Sequence, residues 1–172
     1  AGPLVEAGEI DYVSVNISAR GVVSRDCSRS IRIAAARHGI PVGKIRLEVK
    51  EAGVLETLPL GGARLAAGVG EGLTYVVDDF GRGYASLSYL RHLGISSVKL
   101  AREVVRAVPA DAAGCAFLKG LFVTTGELGI DVVAKGVETE EQRGFLESIG
   151  CTLFQGYLTG RPEPLQRGSS HT

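Results

Sequence analysis

Apolar residues along this chain fall into short, nearly continuous runs, each followed by a stretch of helical spacing. Tyr12-Val13-Ser14-Val15-Asn16-Ile17-Ser18 alternates closely enough to predict a strand, and Lys44-Ile45-Arg46-Leu47-Glu48-Val49-Lys50-Glu51 predicts a second that ends in acids. A third run begins at Thr74, continues through Tyr75, Val76 and Val77, and stops at Asp78-Asp79 before a turn punctuated by Gly81 and Gly83. Strands are further predicted over residues 96–100, 131–138 and 152–158. Between them, Ser24 caps a helix whose apolar stripe is Cys27, Ile31, Ala34 and Ala35, with His38 in its last turn and Gly39 and Pro41 stopping it. A weaker helical stretch over residues 63–69 is diluted by glycines. Helices are also expected over 86–93 and 111–128, and Thr139 with Gln142 forms a capping box for one that ends at Gly150. Residues 1–10 form a lead-in segment. Residues 1–164 make one domain, and 165–172, after Pro162 and Pro164, lose all periodicity and are expected to be disordered.

Strands that alternate with helices and are apolar on both faces predict an α/β fold with a parallel sheet covered by helices. Polar residues decide between an open doubly wound sheet and a barrel. Asn16, Glu48, Asp78 with Asp79, Lys99, Lys135 with Glu138, and Gln155 fall at or near the C-terminal ends of successive strands. In a barrel those ends converge on one mouth, whereas an open sheet concentrates its chemistry at a single switch point. Because every strand contributes, the expected fold is a modified TIM-type (β/α) barrel with about six of the eight strands present.

Composition narrows the function classes. Nineteen basic residues balance nineteen acidic ones among 172, so bulk binding to nucleic acid or to an anionic surface is not expected. No apolar run approaches the ~20 residues that span a bilayer, and no charged-then-apolar leader precedes the first strand, so a cytoplasmic location is expected. Cys27, Cys115 and Cys151 show no metal-binding spacing and are expected to be buried free thiols in a reducing compartment. The adjacent carboxylates at 78 and 79 repel one another unless a positive charge lies between them, and a divalent metal is the usual candidate.

Taken together, Val15-Asn16-Ile17-Ser18, Leu47-Glu48-Val49-Lys50-Glu51, the run from Asp78-Asp79-Phe80-Gly81 to Ser86-Leu87, Val98-Lys99-Leu100, Gly136-Val137-Glu138-Thr139 and Gln155-Gly156-Tyr157 resemble the EAL domain, the cyclic di-GMP phosphodiesterase family of bacterial second-messenger signalling. The resemblance implies a barrel whose mouth holds two divalent ions, Mg²⁺ or Mn²⁺, and hydrolyses cyclic di-GMP to the linear dinucleotide pGpG. By match, Asn16, Glu48, Asp78 and Asp79 would be metal ligands and Lys99 would help hold the attacking water. Glu51 would brace the loop after Asp79, Glu138 would support the site, and Gln155 would line it together with Asp79.

Three departures from the family pattern shape the functional expectation. The Glu-Ala-Leu signature does not occur, and a typical barrel needs about 250 residues. Where the family has Lys-x-Asp the chain has Lys99-Leu100-Ala101, which removes a carboxylate from the face that carries Lys99. Where the family has Ala-Glu-Gly-Val-Glu-Thr the chain has Ala134-Lys135-Gly136-Val137-Glu138-Thr139, so a lysine replaces the glutamate expected to act as base or metal ligand. Lys135 is expected to pair with Asp78, Asp79 and Glu48 where a metal would otherwise sit. A catalytically impaired regulatory, ligand-binding or dimerisation module is therefore expected, with an active phosphodiesterase in the full-length protein as the alternative. Six strands leave two open edges, and a homodimer or an upstream signalling domain is the expected partner.

Overall fold

The six expected strands form and pair in parallel in strict sequence order, as shown by a computed structural model that describes the backbone of residues 1–82, 89–90, 93–158 and 160, and their side chains except at 57–61 and 64. The strands are β1 (Val13–Ile17), β2 (Ile45–Lys50), β3 (Thr74–Phe80), β4 (Ile95–Leu100), β5 (Asp131–Lys135) and β6 (Leu153–Gln155). An order that never reverses has no switch point, so the fold is a six-stranded section of a (β/α) barrel and not a doubly wound sheet. The outer edges of β1 and β6 pair with nothing among the described residues.

The helices are α1 (Gly2–Glu6), α2 (Ala19–Val23), α3 (Arg25–Arg37), α4 (Glu51–Gly70), α5 (Arg102–Ala107), α6 (Ala112–Glu127) and α7 (Glu140–Ser148). Ser24 caps α3 by accepting the Cys27 N–H, and both halves of the Thr139–Gln142 capping box are formed at α7. The lead-in segment contains α1, a helix that tolerates Pro3 because the first turn needs no donor there. The weak stretch at 63–69 is the end of a helix that begins at Glu51. Glycine dilutes its intrinsic propensity, but Val54 and Leu65 are buried against the sheet, and that burial decides its length. Of the helix expected over 86–93, Tyr89 and Leu90 are helical and the rest lies outside the described residues, as does the tail 165–172.

Alternation along the strands divides the sheet into two faces. Ile45, Leu47 and Val49 of β2, Tyr75 and Val77 of β3, and Ile95, Val98 and Leu100 of β4 join Leu118, Leu121 and Leu146 of the helices in one buried cluster. The core therefore sits between the sheet and its helical coat. The register aligns Asn16 with Glu48, Glu48 with Val76, Val76 with Ser97, Lys99 with Val133, and Lys135 with Gln155. These residues occupy the opposite, inner face, where the polar positions collect. No helix among the described residues is long and apolar enough to cross a membrane. All three cysteines are free thiols, but only Cys151 is buried as expected; Cys27 and Cys115 lie on helices that coat the sheet and are half-buried.

Candidate functional site

Where the inner face meets the C-terminal ends of the strands it opens into a cleft of about 550 Å³. Asn16 of β1, Glu48 of β2, Asp78 of β3, Lys99 of β4, Lys135 of β5 and Gln155 of β6 all line it, joined by Glu138 from the loop after β5. One residue from each strand thus reaches a common mouth, because parallel strands in register present equivalent positions at equal depth. Asp79 and Glu51 lie outside this cleft, in a neighbouring depression shared with Lys50 and Arg82.

Consecutive residues of a strand normally point to opposite faces, and Asp78 and Asp79 depart from that rule. Asp79 has φ +54°, a left-handed conformation that aspartate tolerates better than most residues, and the pairing of β3 with β4 shifts register between Val77 and Phe80. The bend brings both carboxylates to one cation. Lys135 Nζ donates to Asp78 Oδ1 at 2.5 Å and to Asp79 Oδ1 at 2.7 Å. Lys99 Nζ donates to Glu48 Oε1 at 2.5 Å, so Glu48 pairs with Lys99 and not with Lys135. These side chains are largely buried: Lys135 and Asp78 are each 15% exposed and Glu48 is 8% exposed.

The electrostatics follow from this geometry. Burial alone would lower the Lys135 ammonium, but its hydrogen bonds to Asp78 and Asp79 and their charges hold it above the usual lysine value. Asp79 is held below the usual aspartate value, chiefly by the hydrogen bond from Lys135, with Lys50 and Arg82 adding to the effect against the opposing influence of burial. Glu51, the first residue of α4, accepts the Gly81 N–H at 3.1 Å and the Tyr89 hydroxyl at 3.3 Å, and ties the turn after Asp79 to the start of the helix. Its burial raises the carboxyl above the usual glutamate value despite both bonds. No three His, Cys, Asp or Glu side chains among the described residues converge as a metal-binding group.

The cleft also contains residues that the sequence did not single out. Arg102 opens α5 immediately after β4, and Phe154 and Tyr157 flank Gln155. Arg102 follows the end of a strand, so the positional rule that marks the other residues could have found it as well. Tyr157 stood in a recognised motif without a role. Gly136 turns the chain out of β5 with φ +71°, which ends the strand three residues before Glu138.

Comparisons with known proteins agree with this architecture. The EAL domain family matches residues 5–162. The bifunctional diguanylate cyclase/cyclic di-GMP phosphodiesterase MucR of Pseudomonas aeruginosa is 32% identical over 164 residues, which cover 95% of this chain and 24% of MucR. The solved PaMucR phosphodiesterase in complex with c-di-GMP superposes with a TM-score of 0.86 at 32% identity, over 94% of this chain and 66% of that one. A manganese/cy-diGMP complex of Klebsiella pneumoniae BlrP1 gives a TM-score of 0.84 at 28% identity, over 92% of this chain and 41% of that one. The chain thus spans about a quarter of the length of MucR.

Proposed function

This chain belongs to the EAL domain family, and we propose that it is a regulatory, ligand-binding module of cyclic di-GMP signalling whose own hydrolytic site is silent. The observation that carries this reading is the Lys135 ammonium bound between Asp78 and Asp79. Metal-assisted hydrolysis by this family would need two divalent cations about 3.5–4 Å apart, held by carboxylate and amide oxygens. Here the two aspartates already neutralise a fixed monovalent cation, and Glu48 is engaged by Lys99. A divalent ion brought to Asp78 would meet the ammonium within contact distance, and the two charges repel. The residues present therefore do not fit a two-metal centre.

Lys135 also fails as a replacement for the base. A general base must be unprotonated at the working pH, and the two aspartates hold this ammonium in its charged form. What the cleft keeps is the capacity to receive a ligand: an open volume with polar groups from every strand. The alternative, an active phosphodiesterase producing pGpG in the full-length protein, draws support from Asn16, Glu48, Asp78 and Lys99 lining one cleft. Incubating the full-length protein with cyclic di-GMP in Mg²⁺ or Mn²⁺ and separating the products by chromatography distinguishes the two. The silent module leaves the cyclic dinucleotide intact, whereas accumulation of pGpG that stops on adding EDTA establishes the active alternative.

A further inference from the structure

We propose that the Lys135 ammonium is a built-in counter-ion that holds the turn after β3 in one conformation. The surface this turn shares with α5 and α6 is thereby set whether or not the cleft holds a metal ion or a ligand. The inference goes beyond the reading of a silent, ligand-binding module and does not depend on it.

Two adjacent carboxylates and a left-handed Asp79 make a bend that stands only with support from its surroundings. Lys135 reaches across β4 on the inner face and bonds both carboxylates, so it fastens the end of β3 to β5. Lys50 Nζ lies 3.7 Å from Asp79 Oδ2, but its side chain is 74% exposed and water screens it. Among the described residues, no other largely buried cation pairs with either carboxylate. Glu51 fixes Gly81 from the far side of the turn, yet as an acid it cannot relieve the repulsion between positions 78 and 79.

Two residues past Asp79, the same turn faces outward. A Cβ on Gly81 would stand 3.2 Å from Val104 Cγ2 and 3.4 Å from Phe117 Cε1, and Arg82 Nε lies 3.4 Å from Glu103 Oε1. Together these residues line an outer depression of about 590 Å³. With Gly81 packed that closely, relaxation of the bend at Asp79 must displace the wall of this depression. A dissociable cation at positions 78 and 79 would make the turn conditional on its concentration; a side chain of β5 makes it permanent.

The test is amide hydrogen exchange at residues 80–82, read by NMR with melting temperatures for the wild type, K135M, K135R and the neutral triple variant D78N/D79N/K135M. Each is measured in EDTA and again after adding Mg²⁺ or cyclic di-GMP. Wild-type rates are expected to agree within about twofold in all three solutions. K135M should exchange at least about tenfold faster at Gly81 while α3 keeps its protection, and K135R should retain most of the protection at Gly81. The triple variant, which has no repulsion to offset, should return to within about threefold of the wild type. Wild-type exchange in K135M, or a wild-type Gly81 that slows about tenfold on adding Mg²⁺ or cyclic di-GMP, overturns the inference. Where K135M does not fold, the triple variant decides: folded with Gly81 protected it supports the counter-ion, and unfolded or unprotected it overturns it. Exchange is the readout and turnover is not, so failure here leaves the silent-site reading standing.

Discussion

At the scale of single residues, the site turns on Lys135 and its two aspartates. Asp79 is depressed below the usual aspartate value of 3.8, so its contribution to stability is present above that pH and fades as pH falls through its folded value. Lys135 is raised above 10.5, so its contribution is present below that pH and is lost as pH rises through its folded value. The ion cluster therefore stabilises the fold across the whole interval between. Removing one member of a largely buried pair leaves the other charges uncompensated, typically at about 3–5 kcal/mol when burial is complete, and K135M is expected to cost on the order of 2–4 kcal/mol at neutral pH because the cluster retains some solvent contact. In melting experiments, that deficit should shrink toward both acid and alkaline extremes; a deficit independent of pH would contradict the assignment. The acids of this cluster and their lysine were legible in the sequence, because motif spacing places them at strand ends. The partner of Glu48 was not, since two lysines at neighbouring strand ends offer the same charge and only the register assigns Lys99 to it.

At the scale of elements, β3 and the start of α4 form one unit. Glu51 holds the Gly81 N–H and the Tyr89 hydroxyl from a position that is 4% exposed. Because its carboxyl is raised above 4.5, its protonated form suits the fold, and this contribution is lost as pH rises through the folded value. E51Q carries no charge and keeps an acceptor for Gly81, so its melting temperature relative to the wild type should rise with increasing pH from 4 to 8. A constant offset over that range would exclude burial of the charge as the cause. The turn after β6 is equally constrained: a Cβ at Gly156 would lie 2.5 Å from the Val137 carbonyl oxygen and 2.7 Å from its nitrogen. Backbone atoms yield poorly, and overpacking of this kind costs about 1–3 kcal/mol, so G156A should lower the urea midpoint accordingly. Element existence was readable where periodicity ran long, as in α3 and α6. The short α2 and α5 were missed because five or six residues carry too little pattern, and the full length of α4 was hidden because tertiary burial outweighs its glycine content.

At the scale of the whole molecule, the sequential strand order gives the chain its functional geometry: six strand ends converge on one mouth. That convergence was visible in the sequence as a polar residue closing each apolar run. The bend that brings Asp79 to the same cation was not, because simple alternation sends it to the other face, and only the left-handed conformation reverses this. The same mouth places a fixed ammonium where the family pattern has a glutamate, and that replacement is the centre of the account. Its most direct test is a Mn²⁺ titration followed by electron paramagnetic resonance, on the wild-type chain and on K135E. The wild type is expected to leave added Mn²⁺ with the signal of the free ion, while K135E takes up at least one ion. Stoichiometric uptake by the wild type at micromolar Mn²⁺ would contradict it.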